Sequence, residues 1–175
     1  ARQKKRADFD EIFEESTRAI IEEEKRLEHI VREFGEFARL PKPTPGEIDL
    51  GKLIEDVVPM YVPEGAELTL SVAPDAPRVR ADREQITQVL VNLVKNALEA
   101  ARDASPPQVI VTVSAHERGA AFIVSDNGPG IAPKDRERVF EPYFTTKSEG
   151  TGLGLAIVKR IVSDHGGQIS LGESV

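Results

Sequence analysis

The chain has 175 residues, 39% hydrophobic and 30% charged, which is enough apolar material for a core and excludes wholesale disorder. Its 30 acidic and 23 basic residues leave a net charge of −7, the wrong balance for a nucleic-acid-binding domain. No cysteine is present, which excludes disulfide scaffolds, thiolate metal sites, iron–sulfur clusters and a cysteine nucleophile, and fits the cytoplasm. The charged N-terminus is no signal peptide, and no apolar run approaches the roughly 20 residues that cross a bilayer.

Residues 1 to about 40 predict one long helix with an early interruption. Arg2, Lys4, Lys5 and Arg6 open it. Phe9, Phe13, Ile20, Leu27, Val31, Phe34 and Ala38 then recur at sevens, fours and threes, a heptad-like seam between charged faces. A helix with one narrow stripe needs a partner helix, so dimerisation through this segment is expected. Pro41, Pro43 and Pro45 deny a helix its donors and stiffen a linker that ends at Gly46, the best domain boundary in the chain. Asp49 reads as the N-cap of a helix over Leu50–Met60. Glu67–Val72 alternates as a strand, and Arg78–Ala81 reads as a short one. Asp82 and Gln85 form a capping box that starts a helix through about Ala101, with Ile86, Val89, Leu90, Leu93, Ala97 and Ala100 on its core face. Val109–Ala115 and Ala120–Ser125 read as strands joined by a hairpin-like turn. A last helix runs from about Gly152 to Asp164, with Leu155, Val158, Ile161 and Val162 inward. Gly166 and Gly167 end it, and Gln168–Leu171 begins another strand.

Four patches carry chemistry. Asn92, Asn96 and Glu99 share one helix face at i, i+4 and i+7. Asparagine is a poor mid-helix residue, so the pair reads either as oxygen ligands for Mg²⁺ and phosphate or as two amides on a solvated face. Asp126-Asn127-Gly128-Pro129-Gly130-Ile131 follows an apolar strand directly. It is either a plain turn or an acceptor-only carboxylate facing a pocket, matched to the amino donor of adenine and repelling the carbonyl of guanine. Gly150-Thr151-Gly152-Leu153-Gly154-Leu155 leads into a helix, where bare backbone N–H groups and the helix N-terminus suit a polyphosphate. It lacks the lysine and hydroxyl of a P-loop. Phe140-Glu141-Pro142-Tyr143-Phe144 lies between the glycine loops, as core or as pocket wall, and Lys147 follows within reach of a phosphate.

In this order and spacing the four patches resemble the sensor histidine kinases of two-component systems, most of all nitrogen-regulation sensors of the NtrB/NtrY type. More broadly they resemble the ATP-binding superfamily shared by DNA gyrase B, MutL-type mismatch-repair proteins and heat-shock chaperones. Asn92–Ala97 is similar to the N box, Asp126–Gly130 to the G1 box, Phe140–Phe144 to the F box and Gly150–Gly154 to the G2 box, over roughly residues 48–172. The resemblance implies an α+β fold, a two-layer α/β sandwich of the Bergerat type, preceded by a long helix of a dimerisation bundle. Residues 1–45 would be the second helix and linker of the dimerisation and phosphotransfer module, and 46–175 the catalytic domain. Asn92 and Asn96 would be catalytic, with Asn96 on Mg²⁺. Asp126 would accept from adenine, beside Gly128, Gly130 and Ile131. Lys95, Glu99, Phe144, Thr146, Lys147, Gly150, Thr151, Gly152, Leu153, Gly154 and Leu155 would complete the nucleotide site. ATP and Mg would be the cofactors, and the partners a response regulator receiver domain and a second copy of the chain, with no nucleic acid and no membrane contact in this piece.

Two departures refine that expectation. Hydrolytic members of the superfamily carry a glutamate base where Asn92 stands, and an amide cannot abstract a proton. That favours transfer to a protein acceptor over a hydrolytic clamp, and the intact glycine boxes disfavour a dimerising module with an empty pocket. The acceptor motif of the family, a histidine followed by an acidic residue and, a little later, an Asn-Pro or similar pair, is absent around His29, His116 and His165. The chain therefore reads as a piece of a longer kinase, lacking its acceptor helix and its final strand.

Overall fold

The computed structural model describes residues 2–117, 119–147 and 150–172, and their side chains except those of residues 2–11, His29, Glu33 and Glu36. The chain divides into two compact units, Ala1–Leu40 with Thr145–Thr151, and Pro41–Phe144 with Gly152–Val175.

In the first unit one helix, α1, runs from Arg2 to Ala38. The expected early interruption does not occur, because neither Gly nor Pro precedes Gly35 and every backbone donor is kept. Of the expected seam positions, Phe13, Ile20, Leu27, Val31 and Phe34 are all exposed, Ile20 at 70% and Val31 at 68%. Phe9 lies outside the described side chains.

The second unit is an α+β sandwich, as the resemblance implied. Strand β1 (Gly46–Asp49) pairs antiparallel with β3 (Arg78–Ala81), Ile48 opposite Val79. The main sheet has the order β2-β4-β5. Strand β2 (Glu67–Val72) runs parallel to β4 (Gln108–His116), and β4 antiparallel to β5 (Gly119–Asp126). Val109, Val111 and Val113 alternate inward on β4 and are wholly buried, while Ile110 and Ile123 remain exposed on the other face. The helices of this unit therefore lie on the valine face. They are α2 (Leu50–Val57), α3 (Arg83–Ala100) and α4 (Gly154–Asp164). Leu53, Ile54, Leu90 and Val94 meet the β4 valines in one core, and α4 packs on α3 through a face containing Ile157, Val158 and Ile161.

Capping sets the helix starts. Asp49 Oδ1 accepts from Lys52 N–H at 3.0 Å, and Asp82 Oδ1 accepts from Glu84 and Gln85 N–H at 3.0 and 3.2 Å. The second half of the capping box is not made. Gln85 Nε2 donates instead to Pro41 O at 2.9 Å, and Asp82 N–H goes to His165 Nε2 at 3.0 Å. Helix α2 ends at Val57 rather than Met60, because Pro59 has no N–H to continue the ladder, and Val58–Tyr61 tightens into a 3₁₀ turn. Val94 and Ala156–Ile157 are buried where Leu93, Ala100, Leu155 and Val162 were expected, and those four are half-buried. Gln168–Leu171 forms no strand. Alternation alone does not make one without a ladder partner, and none pairs with it among the described residues.

Candidate functional site

Helix α3 carries the first part of the site. Asn92 Nδ2 donates back to Gln88 O at 3.0 Å, which turns its Oδ1 away from the α3 backbone. A Cβ built on Gly154 would stand 3.4 Å from that Oδ1 and 3.9 Å from Asn96 Nδ2. The two amides therefore lie against the first residue of α4. Leu153, at the cap position there, offers no side-chain acceptor to the first-turn N–H groups. An uncapped N-terminus flanked by two neutral amides is a place for an anion, and the amide oxygen is a hard-cation ligand.

Strand β5 carries the second part. Asp126 is its last residue, opposite Val109, and its Oδ1 accepts from Gly128 N–H at 2.9 Å. Gly128 has no room for a side chain, since a Cβ would lie 2.5 Å from Ala100 O. The loop is thereby pressed onto the C-terminal end of α3. From Asn92 to Ala100 the axis of α3 advances about 12 Å. Carboxylate and amides thus lie about two turns apart along the same helix.

The glycines and the aromatic box meet at one point. Gly152 is left-handed at φ +70°, and a Cβ there would lie 2.5 Å from the Tyr143 carbonyl carbon. Tyr143 is left-handed too, at φ +67°, and its N–H donates to Gly152 O at 3.0 Å. Arg138 lies over the Phe144 ring at 4.7 Å, its Nε 3.4 Å from Glu141 Oε2. In the other unit, Lys147 N–H donates to Thr145 Oγ1 at 3.1 Å and Gly150 N–H to Lys147 O at 3.4 Å, closing the turn that holds Thr146.

The structure brings Asn92, Asn96 and Gly154 together, and separately Asp126 and Gly128 with the end of α3. Leu153 is wholly buried and contributes packing, with Leu155 half-buried beside it. Lys95 points its ammonium at the Tyr61 ring, 5.6 Å from the centroid. Glu99, Gly130 and Ile131 are exposed. Two roles had no sequence signal beyond turn and cap chemistry. Asn127 accepts at Oδ1 from Gln108 N–H at 2.9 Å and donates from Nδ2 to Pro106 O at 3.0 Å. His165 joins α4 to the cap of α3. As the acceptor from Asp82 N–H its Nε2 is bare, so Nδ1 carries the proton toward Ile161 O at 2.8 Å.

Magnesium fits this donor set as an ion carried in by phosphates. Among the described residues no group of three or more His, Asp or Glu side chains forms a metal cage, and Mg²⁺ typically binds through substrate phosphates with few protein ligands. No helix of the described residues is long and apolar enough to cross a membrane.

A sequence profile of the histidine kinase-, DNA gyrase B- and HSP90-like ATPases matches residues 81–175. Nitrogen regulation protein NtrY of Azorhizobium caulinodans is 39% identical over 171 residues, 94% of this chain and 22% of its own length. The chain thus spans about a fifth of that relative. Full-length ShkA in complex with AMPPNP superposes with a TM-score of 0.74 at 32% identity, over 85% of this chain and 33% of ShkA. Histidine kinase ThkA in complex with response regulator protein TrrA gives 0.69 at 32% identity, over 85% of this chain and 43% of that one.

Proposed function

Since the chain belongs to the family of histidine kinase-, DNA gyrase B- and HSP90-like ATPases, we propose that it is the ATP-binding catalytic portion of a sensor histidine protein kinase. It transfers the γ-phosphoryl group of Mg·ATP to a histidine on another segment, for relay to a response regulator receiver domain. The observation that carries the reading is the pair Asn92 and Asn96 lying against the uncapped N-terminus of α4. The likeness to AMPPNP-bound ShkA and to the ThkA–TrrA complex supports the nucleotide and the partner.

In this reading Asp126 accepts from the adenine amino group, and the first turn of α4 receives phosphate oxygens. Asn96, with Asn92 beside it, supplies amide oxygen to the metal. The bound Mg²⁺ supplies charge neutralisation of the phosphates. Lys147, Gly150 and Thr151 are assigned to phosphate on residue type and on the resemblance alone, as a cation and small residues of the second glycine box. Position 92 offers no base to activate water, so the phosphoryl group is kept for a protein acceptor. Residues 1–45 serve as dimerisation helix and linker, with the exposed apolar stripe of α1 packing on a second copy. The domain works in the cytoplasm, where ATP is supplied.

The test uses radiolabelled ATP. The chain alone is expected to bind Mg·ATP, to hydrolyse it slowly and to remain unlabelled, since none of its three histidines lies in an acceptor motif. Adding a polypeptide with the acceptor-histidine helix is expected to give acid-labile, base-stable label on that helix. Fast hydrolysis without transfer would favour a clamp ATPase instead.

A further inference from the structure

Asn127 sits between two residues of the proposed base pocket, yet its side chain is spent on the protein. Oδ1 accepts from Gln108 N–H, Nδ2 donates to Pro106 O, and its own N–H donates to Gln108 O at 3.3 Å. The residue after Asp126 is thus fixed at three points to the entry of β4. On the other side Gly128 is pressed against Ala100. Between these anchors the Gly128 N–H meets Asp126 Oδ1 at 2.9 Å and sets the carboxylate rotamer. Asp126 is exposed, and among the described residues its Oδ2 has no protein partner.

We infer that Asn127 is a positioning residue for adenine recognition: it holds the loop so that the Gly128 N–H orients the Asp126 carboxylate toward the base. The inference rests on the adenine role of Asp126 proposed above and adds the device that aims it. An Asp-x-Gly turn has no chemical need for an amide at its centre. Both Asn127 bonds are solvent-exposed, so water replaces them at little cost in stability. What water cannot replace is the fixed direction of the chain. The effect of losing Asn127 therefore falls on discrimination between bases rather than on folding.

The test compares binding of ATP and of purine riboside 5′-triphosphate, which lacks the 6-amino group, to the 175-residue chain and its variants. The unsubstituted chain is expected to prefer ATP by roughly tenfold or more. Asn127→Ala is expected to lose most of that preference while binding the analogue nearly as before. Asn127→Asp keeps an acceptor for Gln108 N–H and is expected to retain part of it. In an Asp126→Ala background, Asn127→Ala is expected to change the preference no further, since both act through one carboxylate. A full preference in Asn127→Ala, or equal weakening of both nucleotides, overturns the positioning role and leaves Asp126 in place. Should Asn127→Ala not fold, an undiminished preference in Asn127→Asp overturns it equally. No preference in the unsubstituted chain overturns the adenine role and the positioning role together.

Discussion

The backbone N–H of Asp82 donates to Nε2 of His165 at 3.0 Å, joining the N-cap of α3 to the last turn of α4. The same aspartate receives Thr44 N–H at its Oδ2, 2.7 Å away, so the linker is held at this point as well. Site geometry depends on how α4 sits against α3, because Gly154 meets the α3 asparagines. The Asp82–His165 bond fixes the far end of that helix pair.

This knot has a pH signature. The Asp82 carboxyl is held below its usual range, first by the Thr44 N–H, then by the Gln85 N–H. Partial burial opposes the shift, and the Glu84 N–H adds a smaller contribution. A carboxyl with a lowered folded pKa contributes stability that is present above its unfolded value and lost as pH falls through the folded one. Urea unfolding should therefore show Asp82→Ala costing about 0.5–2 kcal/mol at pH 7. The gap should narrow as pH drops below about 4, where the unfolded carboxyl takes up its proton. A gap that is constant down to the acid limit would remove Asp82 from this role.

Gly128→Ala tests the contact that sets the proposed base end of the site. Its Cβ would meet Ala100 O at 2.5 Å, so either the loop or the end of α3 must shift. Overpacking of this kind costs roughly 1–3 kcal/mol, and nucleotide affinity should fall with it. Gly46→Ala is the control, since a Cβ there meets nothing within 4 Å. Equal affinity in both variants would show that the loop does not shape the pocket.

Asp126→Asn replaces a charge-assisted acceptor with an amide that can present a donor to the adenine amino group. Such a bond is worth roughly 1.5–3 kcal/mol, or on the order of ten- to hundredfold in affinity. Isothermal titration should show the loss for ATP, and the unsubstituted chain should prefer ATP to GTP. Equal affinity for the two nucleotides would take Asp126 out of base recognition.

Periodicity and caps made most of the architecture legible. Val109, Val111 and Val113 alternate as an inward face, Asp49 and Asp82 cap as their types demand, and Ile86, Leu90 and Ala97 mark the buried stripe of α3. What was not legible depends on partners distant in sequence. Asp82 N–H finds His165, 83 residues away, in preference to the Gln85 side chain three residues on. Strand β1 is four residues, Gly46, Glu47, Ile48 and Asp49, too short for its alternation to announce it, and only β3 makes it a strand. In the site, Asn92, Asn96 and Asp126 stood out as polar groups in unlikely places. Asn127 did not, because its type is ordinary for a turn and its role lies in the bonds to Pro106 and Gln108.

Asn96→Ala separates metal chemistry from nucleotide docking. The Asn96 amide lies near the start of α4, where phosphates are proposed to sit, while Asp126, the proposed base acceptor, stands at the end of β5. Removing the amide should leave adenine contacts intact, so ADP affinity without metal should change little. A metal ion bridging the phosphates stabilises charge as the phosphoryl group moves, and loss of an oxygen ligand should appear in the rate of transfer. The expectation is a fall of tenfold or more in transfer to a supplied acceptor helix, corresponding to roughly 1.4 kcal/mol or more of barrier. Raising the magnesium concentration should recover part of it, since a weakened site still fills by mass action. Asn92→Ala should show a smaller effect, because the oxygen ligand proposed for the metal is that of Asn96, with Asn92 alongside. If Asn96→Ala transfers at the unsubstituted rate at every magnesium concentration, Asn96 is an ordinary solvated amide and the phosphate end of the site lies elsewhere.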